Sequence, residues 1–277
     1  MKRISTILLL LFCATVTFAQ NKERIKGSKS VITKLDNLSA FKSVEVGDNL
    51  EIYLEKGESP TLKIEADDNL HGIISSKIID SVLYLNTTKE AYRFKKLIIH
   101  VTYTNALGLI TAKDQSMINA IQELQLDTLK IKASNDAKLF LNVNTKNFSL
   151  EANDKTKTEL NLKSVKGKII LSQNATLKSL VKTENFTCDL YQKSQAEIEG
   201  NTTNAKIRLD NNGIFTGKKF SCKNINLIAE SYSNCSVNAE TTISISANGK
   251  SEIQLLGNSK IEIINFSDEA KLLKKVK

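Results

Sequence analysis

The chain has 277 residues, with 39 basic and 30 acidic side chains and a net charge of +9. After residue 20 no stretch is apolar enough for a transmembrane helix, and the cysteine spacings match no zinc motif. A protein that spans a membrane by helices of its mature chain and a zinc module are therefore excluded as starting points.

The first twenty residues, MKRISTILLLLFCATVTFAQ, read as a secretory leader. Lys2 and Arg3 give a basic start, and Ile7 to Phe18 forms a short apolar stretch. Thr17 and Ala19 suit the −3 and −1 positions of a cleavage site, which makes 1–19 the signal peptide and Gln20 the new N-terminus. A lipidated Cys13 is the rival reading, and the bulky Phe12 before it argues against that. The mature protein is then exported, to the periplasm or the cell surface. Loss of Lys2 and Arg3 leaves 37 basic against 30 acidic residues, or +7. In an exported protein that balance points to acidic polysaccharide, lipopolysaccharide or a membrane surface before nucleic acid. Lysines that merely solvate a β-rich surface are the plainer reading. Cys188, Cys222 and Cys235 remain, so at least one is unpaired; a Cys222–Cys235 bridge and three free thiols both fit.

Residues 20–40 read as an N-terminal extension. From Phe41, FKSVEVGDNLEIYLEKGESPTLKIEADDNL alternates apolar and polar residues at Val44/Val46, Leu50/Ile52/Leu54 and Leu62/Ile64, with KGES and DDNL as turns. SVLYLNTT and KKLIIHVTY are two more strands. Together 41–103 make the opening strands, a cap for the regular units after them. LGLITAKDQSMINA resembles the first such unit, in a region spanning 104–272.

From Ile131 the chain repeats about every nineteen residues. Leu150, Ile169, Cys188, Ile207, Leu227, Ile245 and Ile263 form one apolar column. Two residues later stand Ala133, Ala152, Leu171, Leu190, Leu209, Ala229 and Ala247, and Asn265 breaks that column. Two residues earlier stand Leu129, Phe148, Gly167, Phe186, Ala205, Ile225, Ile243 and Ile261. Alternation with period two marks a strand with one face buried. Corners such as SNDAK, NDKTKTE and SQNAT come next, rich in residues that tolerate left-handed geometry. A unit of this length cannot bury its apolar face alone, so the units stack as rungs. The expected fold is all-β: a right-handed parallel β-helix, or β-solenoid, with an N-terminal β cap. Its eight reference positions span roughly 34 Å at a strand spacing of about 4.8 Å. The Lys-rich close, NFSDEAKLLKKVK, blunts the last edge with no separate C-terminal domain, so 41–277 is one domain.

The opening phrase FKSVEVGDNLEIYLEKGES…LKIEADDNL, then SVLYLNTT, then rungs with corners such as ITAKDQSMI and KASNDAKL, resembles the head GIN domain family of auto-transporter adhesins in Bacteroidetes. The resemblance covers roughly 41–272. It implies a β-helical fold, export and an adhesive surface role. Family corners are often Ser-Gly, whereas these are mostly Asn or Asp.

Little in the sequence points to catalysis, and no catalytic residue, metal site or cofactor is expected. Asp114, Asp136 and Asp154 occupy comparable corners and could approach one another within calcium-binding reach; ordinary turn residues are the plainer reading. His100 lies in a strand whose Ile99 and Val101 point inward, so it faces solvent. His71 comes just after a turn, and neither histidine has a neighbour suggesting a nucleophile–base pair. Cys188 falls in the buried column as a small apolar filler. Tyr191 and Tyr232 lie at different corner offsets and form no platform for a sugar. The binding candidates are outward cations beside the reference column. Lys130, Lys168 and Lys206 recur on every second rung, about 9.6 Å apart, with Lys132 and Arg208 beside them. Such a stripe suits an anionic polysaccharide or another cell-surface component. The expected role is non-enzymatic binding or adhesion. A polysaccharide-active lyase or hydrolase and a purely structural envelope protein are the alternatives, and the oligomeric state is left open.

Overall fold

The computed structural model describes residues 22–275. The leader and its Cys13 therefore lie outside the described residues. The regular structure is nearly all strand, wound into a β-solenoid of about 9 turns with rungs of ~19 residues.

The first part builds the cap. Its strands are β1 (Arg24–Lys26), β2 (Val31–Asn37), β3 (Ser43–Val46), β4 (Glu51–Lys56) and β5 (Thr61–Asp67), then a 3-10 turn over Asp68–Ile73. They continue as β6 (Ile74–Ile79), β7 (Val82–Thr87), β8 (Glu90–Tyr92), β9 (Leu97–Tyr103) and β10 (Leu109–Ala112). Two directions mix here. β3 runs parallel to β7 and β10, and β4 parallel to β9 and β11 (Met117–Ala133). β2 lies antiparallel on β5, β5 on β9, and β6 on β7. The reversal ends the parallel stack. Residues 24–37 thus pair with the opening strands through β1 on β8 and β2 on β5.

The second part is regular. β12 (Lys138–Ala152), β13 (Lys157–Leu171), β14 (Thr176–Leu190), β15 (Gln195–Leu209), β16 (Ile214–Ala229) and β17 (Asn234–Ala247) each cross two faces of the solenoid. A long face precedes a short one, with a residue such as Lys146 or Val165 left out of the ladder at the bend. β18 (Glu252–Leu256) and β20 (Lys271–Lys274) continue the long face, and β19 (Lys260–Phe266) the short one.

The register proves the repeat. Ile131 pairs with Leu150, then Ile169, Cys188, Ile207, Leu227, Ile245 and Ile263, rung by rung. The column also runs backward through Ile110 and Val44 to Leu83. All members from Leu83 to Ile245 are 0–1% exposed. Outward positions are mostly polar, so the strands of the regular part alternate in and out. The expected break at Asn265 is repaired: the register shifts after Ile245, and Phe266 rather than Asn265 stands against Ala247.

Corners are four-residue turns closed by i to i+3 hydrogen bonds, such as Ala137 N to Ser134 O, Thr156 N to Asn153 O and Ala175 N to Ser172 O. The first central residue is left-handed at Asp114, Asn135, Asp154, Gln173, Gln192, Asn211, Ser231, Gly249 and Asp268, with φ between 50° and 66°. That conformation favours Asn, Asp and Gly, which explains the polar corners. At the last turn position a buried small residue, such as Ser116, Ala137, Thr156, Ala175 or Ser194, sits in the next column.

One buried acid ties the cap together. Asp67 is fully buried and accepts backbone hydrogen bonds from Lys29 N (2.8 Å), Lys95 N (3.1 Å) and Lys96 N (3.0 Å). Burial alone would raise its pKa; the N–H donors outweigh that and hold the carboxyl below its ordinary value. Gly27 is required beside it, since a Cβ there would lie 2.4 Å from Asp67 Oδ2.

This packing sets the cost of two substitutions. Leu150→Ala opens a cavity in the central column and should cost about 3 kcal/mol by urea unfolding, whereas a loss under about 1 kcal/mol would contradict a close-packed column. Asp67→Asn turns an acceptor into a donor facing N–H groups and should cost about 2–3 kcal/mol at neutral pH. Because the folded pKa is depressed, Asp67 contributes its stability at neutral pH and loses it as pH falls through the carboxylate range. The gap between parent and variant should therefore close on acidification, read by thermal melting across pH.

Candidate functional site

The short face carries the cation stripe. Lys130, Ser149, Lys168, Thr187, Lys206 and Asn226 pair in sequence across β11 to β16, so they form one outward column. Lys132, Glu151, Ile170, Asp189 and Arg208 form the next. Lys132, Lys168 and Lys206 are exposed, and Lys130 and Arg208 are half-buried. All five thus lie on one face, as the spacing predicts.

Their partners differ. Lys130 Nζ lies 2.8 Å from Glu151, and that contact holds the Glu151 carboxyl below its ordinary pKa, with Lys132 and Lys168 adding attraction. Arg208 donates to Glu230 at 3.0 Å, which raises its pKa, and its guanidinium lies 5.8 Å from the Tyr191 ring centre. Among the described residues Lys132, Lys168 and Lys206 make no ion pair. Beside the stripe runs an amide ladder. Asn204 donates to Asn185, Asn224 to Asn204, and Thr242 to Asn224, at 2.8–3.1 Å. The ladder ties that edge of the face from rung to rung.

The corner acids serve the turns. Asp114 Oδ2 accepts from Asp48 N at 3.1 Å, and Asp154 Oδ2 from Asn135 N at 3.0 Å. Gln173 and Asp268 do the same for the corners before them. A side-chain oxygen of one rung thus satisfies the exposed N–H of the previous left-handed corner. Asp136 is out of that line: Asn135 is the counterpart of Asp114 and Asp154, and Asp136 is one position later. The three aspartates therefore do not share equivalent positions. Among the described residues no group of three His, Cys, Asp or Glu side chains is placed to hold a metal ion.

The other candidates resolve as packing. Cys188, Cys222 and Cys235 are all buried free thiols, so the Cys222–Cys235 bridge is not formed. Burial pushes the Cys222 and Cys235 thiols up to about 12, far from a reactive thiolate. His100 points outward but is partly covered: it stacks on Tyr53 with ring centres 5.3 Å apart and contacts Glu55 at 2.8 Å. His71 meets only the Ile32 carbonyl, at 3.2 Å. Tyr232 is exposed and lies 5.9 Å from Lys250, far from the Tyr191 offset.

A feature missed by sequence reading lies on the long face. A shallow groove of about 590 Å³ crosses β11 to β15, lined among others by Phe140, Glu159, Lys178 and Leu180. Ile121 and Leu180 are 74% and 55% exposed there. Register shifts at Ala120/Leu124 and Glu197/Gly200 bound it at either side. Such bulges bend a sheet. In the sequence the only signal was an apolar residue at an outward position, such as Leu180.

Asp154→Asn should keep stability within ~0.5 kcal/mol, because the amide oxygen can accept the same N–H, while Asp154→Ala should lose about 1 kcal/mol. Calcium should leave the melting temperature of either protein unchanged. A calcium-dependent rise lost in Asp154→Ala would instead assign these corners to metal.

Comparison with known proteins agrees with this geometry. A crystal structure described as a putative adhesin from Parabacteroides merdae matches at a TM-score of 0.67 and 18% identity, covering 91% of this chain and 99% of that one. A structure described as a putative lipid binding protein from Parabacteroides distasonis gives 0.62 at 13% identity, covering 91% and 100%. A further putative adhesin from Parabacteroides distasonis gives 0.56 at 17%, covering 92% and 99%. At these identities the likeness is one of fold. No curated protein matches the sequence. The family described as "Putative auto-transporter adhesin, head GIN domain" matches residues 40–259, and the chain belongs to that family.

Proposed function

We propose that the protein is an exported, non-enzymatic binding module of the cell envelope that holds anionic polysaccharide on its short face. The observation that carries this reading is the single outward column in which Lys130, Lys168 and Lys206 recur on alternate rungs. Small polar residues between them, Ser149 and Thr187, keep the surface low enough for a chain to lie across it. The lysines are about 9.6 Å apart, two strand spacings. At physiological ionic strength the screening length is about 8 Å, so each lysine acts nearly alone. Binding would then come from many weak contacts with a polymer carrying a comparable charge repeat, and would fall with salt. Membership of an adhesin-like family supports a surface-binding role. The leader-like first twenty residues support export to the periplasm or the cell surface.

The test is affinity electrophoresis in gels cast with neutral or acidic polysaccharides. The parent should be retarded by acidic polymers only. Three surface contacts of about 0.5–1 kcal/mol each, one from the half-buried Lys130, imply a roughly ten- to hundredfold loss of affinity in a Lys130/Lys168/Lys206→Ser variant. Equal retardation of parent and variant would sink the stripe. A cleared track in the gel would favour the polysaccharide-active enzyme.

A further inference from the structure

The two ends of the solenoid differ. At the N-terminal end the strands reverse direction, with β2 and β6 antiparallel to their neighbours. At the other end β19 pairs only with β17, and β20 only with β18, among the described residues. Their outer edges present unpaired backbone N–H and C=O groups, which is a template for another strand.

The side chains agree with the backbone. Ile261, Ile263 and Phe266 occupy the inward columns above Ile243, Ile245 and Ala247. The lower three are 0–1% exposed; the upper three are 40%, 47% and 40% exposed. The bulged Ile264 is 62% exposed and Leu273 of β20 is 40% exposed. Four large apolar side chains follow one another on β19 itself, Ile261, Ile263, Ile264 and Phe266, an exposed run of the kind that marks an interaction surface, while Leu273 stands outward on the other face. A solenoid normally closes such an end with a polar rung.

We infer that this end pairs with the same end of a second copy, β19 against β19 in antiparallel fashion about a two-fold axis. The strand is complementary to itself in one register. With Ile261 opposite the partner's Phe266, Glu262 meets the partner's Asn265 and Ile263 meets the partner's Ile264. Inward Ile261 and Phe266 face each other, inward Ile263 meets the bulged Ile264, and no like charges stand directly opposite. The interior column from Leu83 to Ile263 then runs on into the second protomer. A two-fold axis perpendicular to the short face keeps its outer side outward, so both cation stripes lie on one continuous surface. Lys271, Lys274 and Lys275 crowd the same end, and the pairing brings them toward their copies. The association therefore strengthens as salt screens that repulsion.

Sedimentation of the purified chain over a range of concentration and salt tests this. The parent should pass from monomer to dimer with rising concentration, at lower concentration in higher salt. Ile263→Lys should remain monomeric while melting like the parent, since Ile263 is half-exposed in the single chain. The register is tested by mixing Glu262→Cys with Asn265→Cys and oxidising: the mixed pair should cross-link between chains faster than either variant alone. A parent that stays monomeric throughout, an Ile263→Lys variant that still dimerises, or cross-linking with no preference for the mixed pair would each overturn the inference.

Discussion

No single rung of this protein can fold. Each supplies a long strand, a short strand and a turn, and its inward side chains find cover only in the rungs above and below. In-register parallel stacking is therefore the constraint on which the rest depends. It demands an apolar residue at each inward position on every turn, and it fixes the length of each turn so that the columns meet. From β12 to β15 every pairing steps by the same nineteen residues. Where the step changes, at the bulges in β11 and between β15 and β17, the ladder is interrupted on the long face while the short-face columns stay in register.

The corners obey the same logic in polar form. A left-handed turn residue exposes an N–H that no strand can satisfy. Asp114, Asp154, Gln173 and Asp268 answer with a side-chain oxygen from the next rung. Acidic and amide corners are thus stacking elements. Their resemblance to calcium ligands comes from the same oxygen chemistry put to a different use. The three cysteines likewise fill space within the stack, which is why an odd number is tolerated.

Much of this was legible because it is periodic. The column from Ile131 to Ile263 and the left-handed corners are both visible in spacing and residue type. What escaped is what breaks the period. Alternation of Leu62 with Ile64 looks the same in a parallel or an antiparallel strand, so the reversal of β5 and β6 left no mark. Asp67 read as one more turn acid in DDNL, although three backbone donors from distant segments converge on it. The Phe266 register shift and the groove beside Phe140 depend on bulges, which sequence alternation alone does not place. Of the stripe, the common face of the five cations was readable, but the pairing of Lys130 with Glu151 and of Arg208 with Glu230 was not.

The fold offers two outer faces of different character: a short face on which, among the described residues, Lys132, Lys168 and Lys206 make no ion pair, and a long face with an amphipathic groove. The proposed recognition surface is the first. Amide and side-chain NMR of the labelled protein titrated with an acidic oligosaccharide separates them most directly. Shifts confined to the outward positions around Lys130, Lys168 and Lys206, weakening as salt is added, are the predicted result. Shifts centred on Phe140, Lys178 and Leu180, or a pattern indifferent to salt, would contradict it.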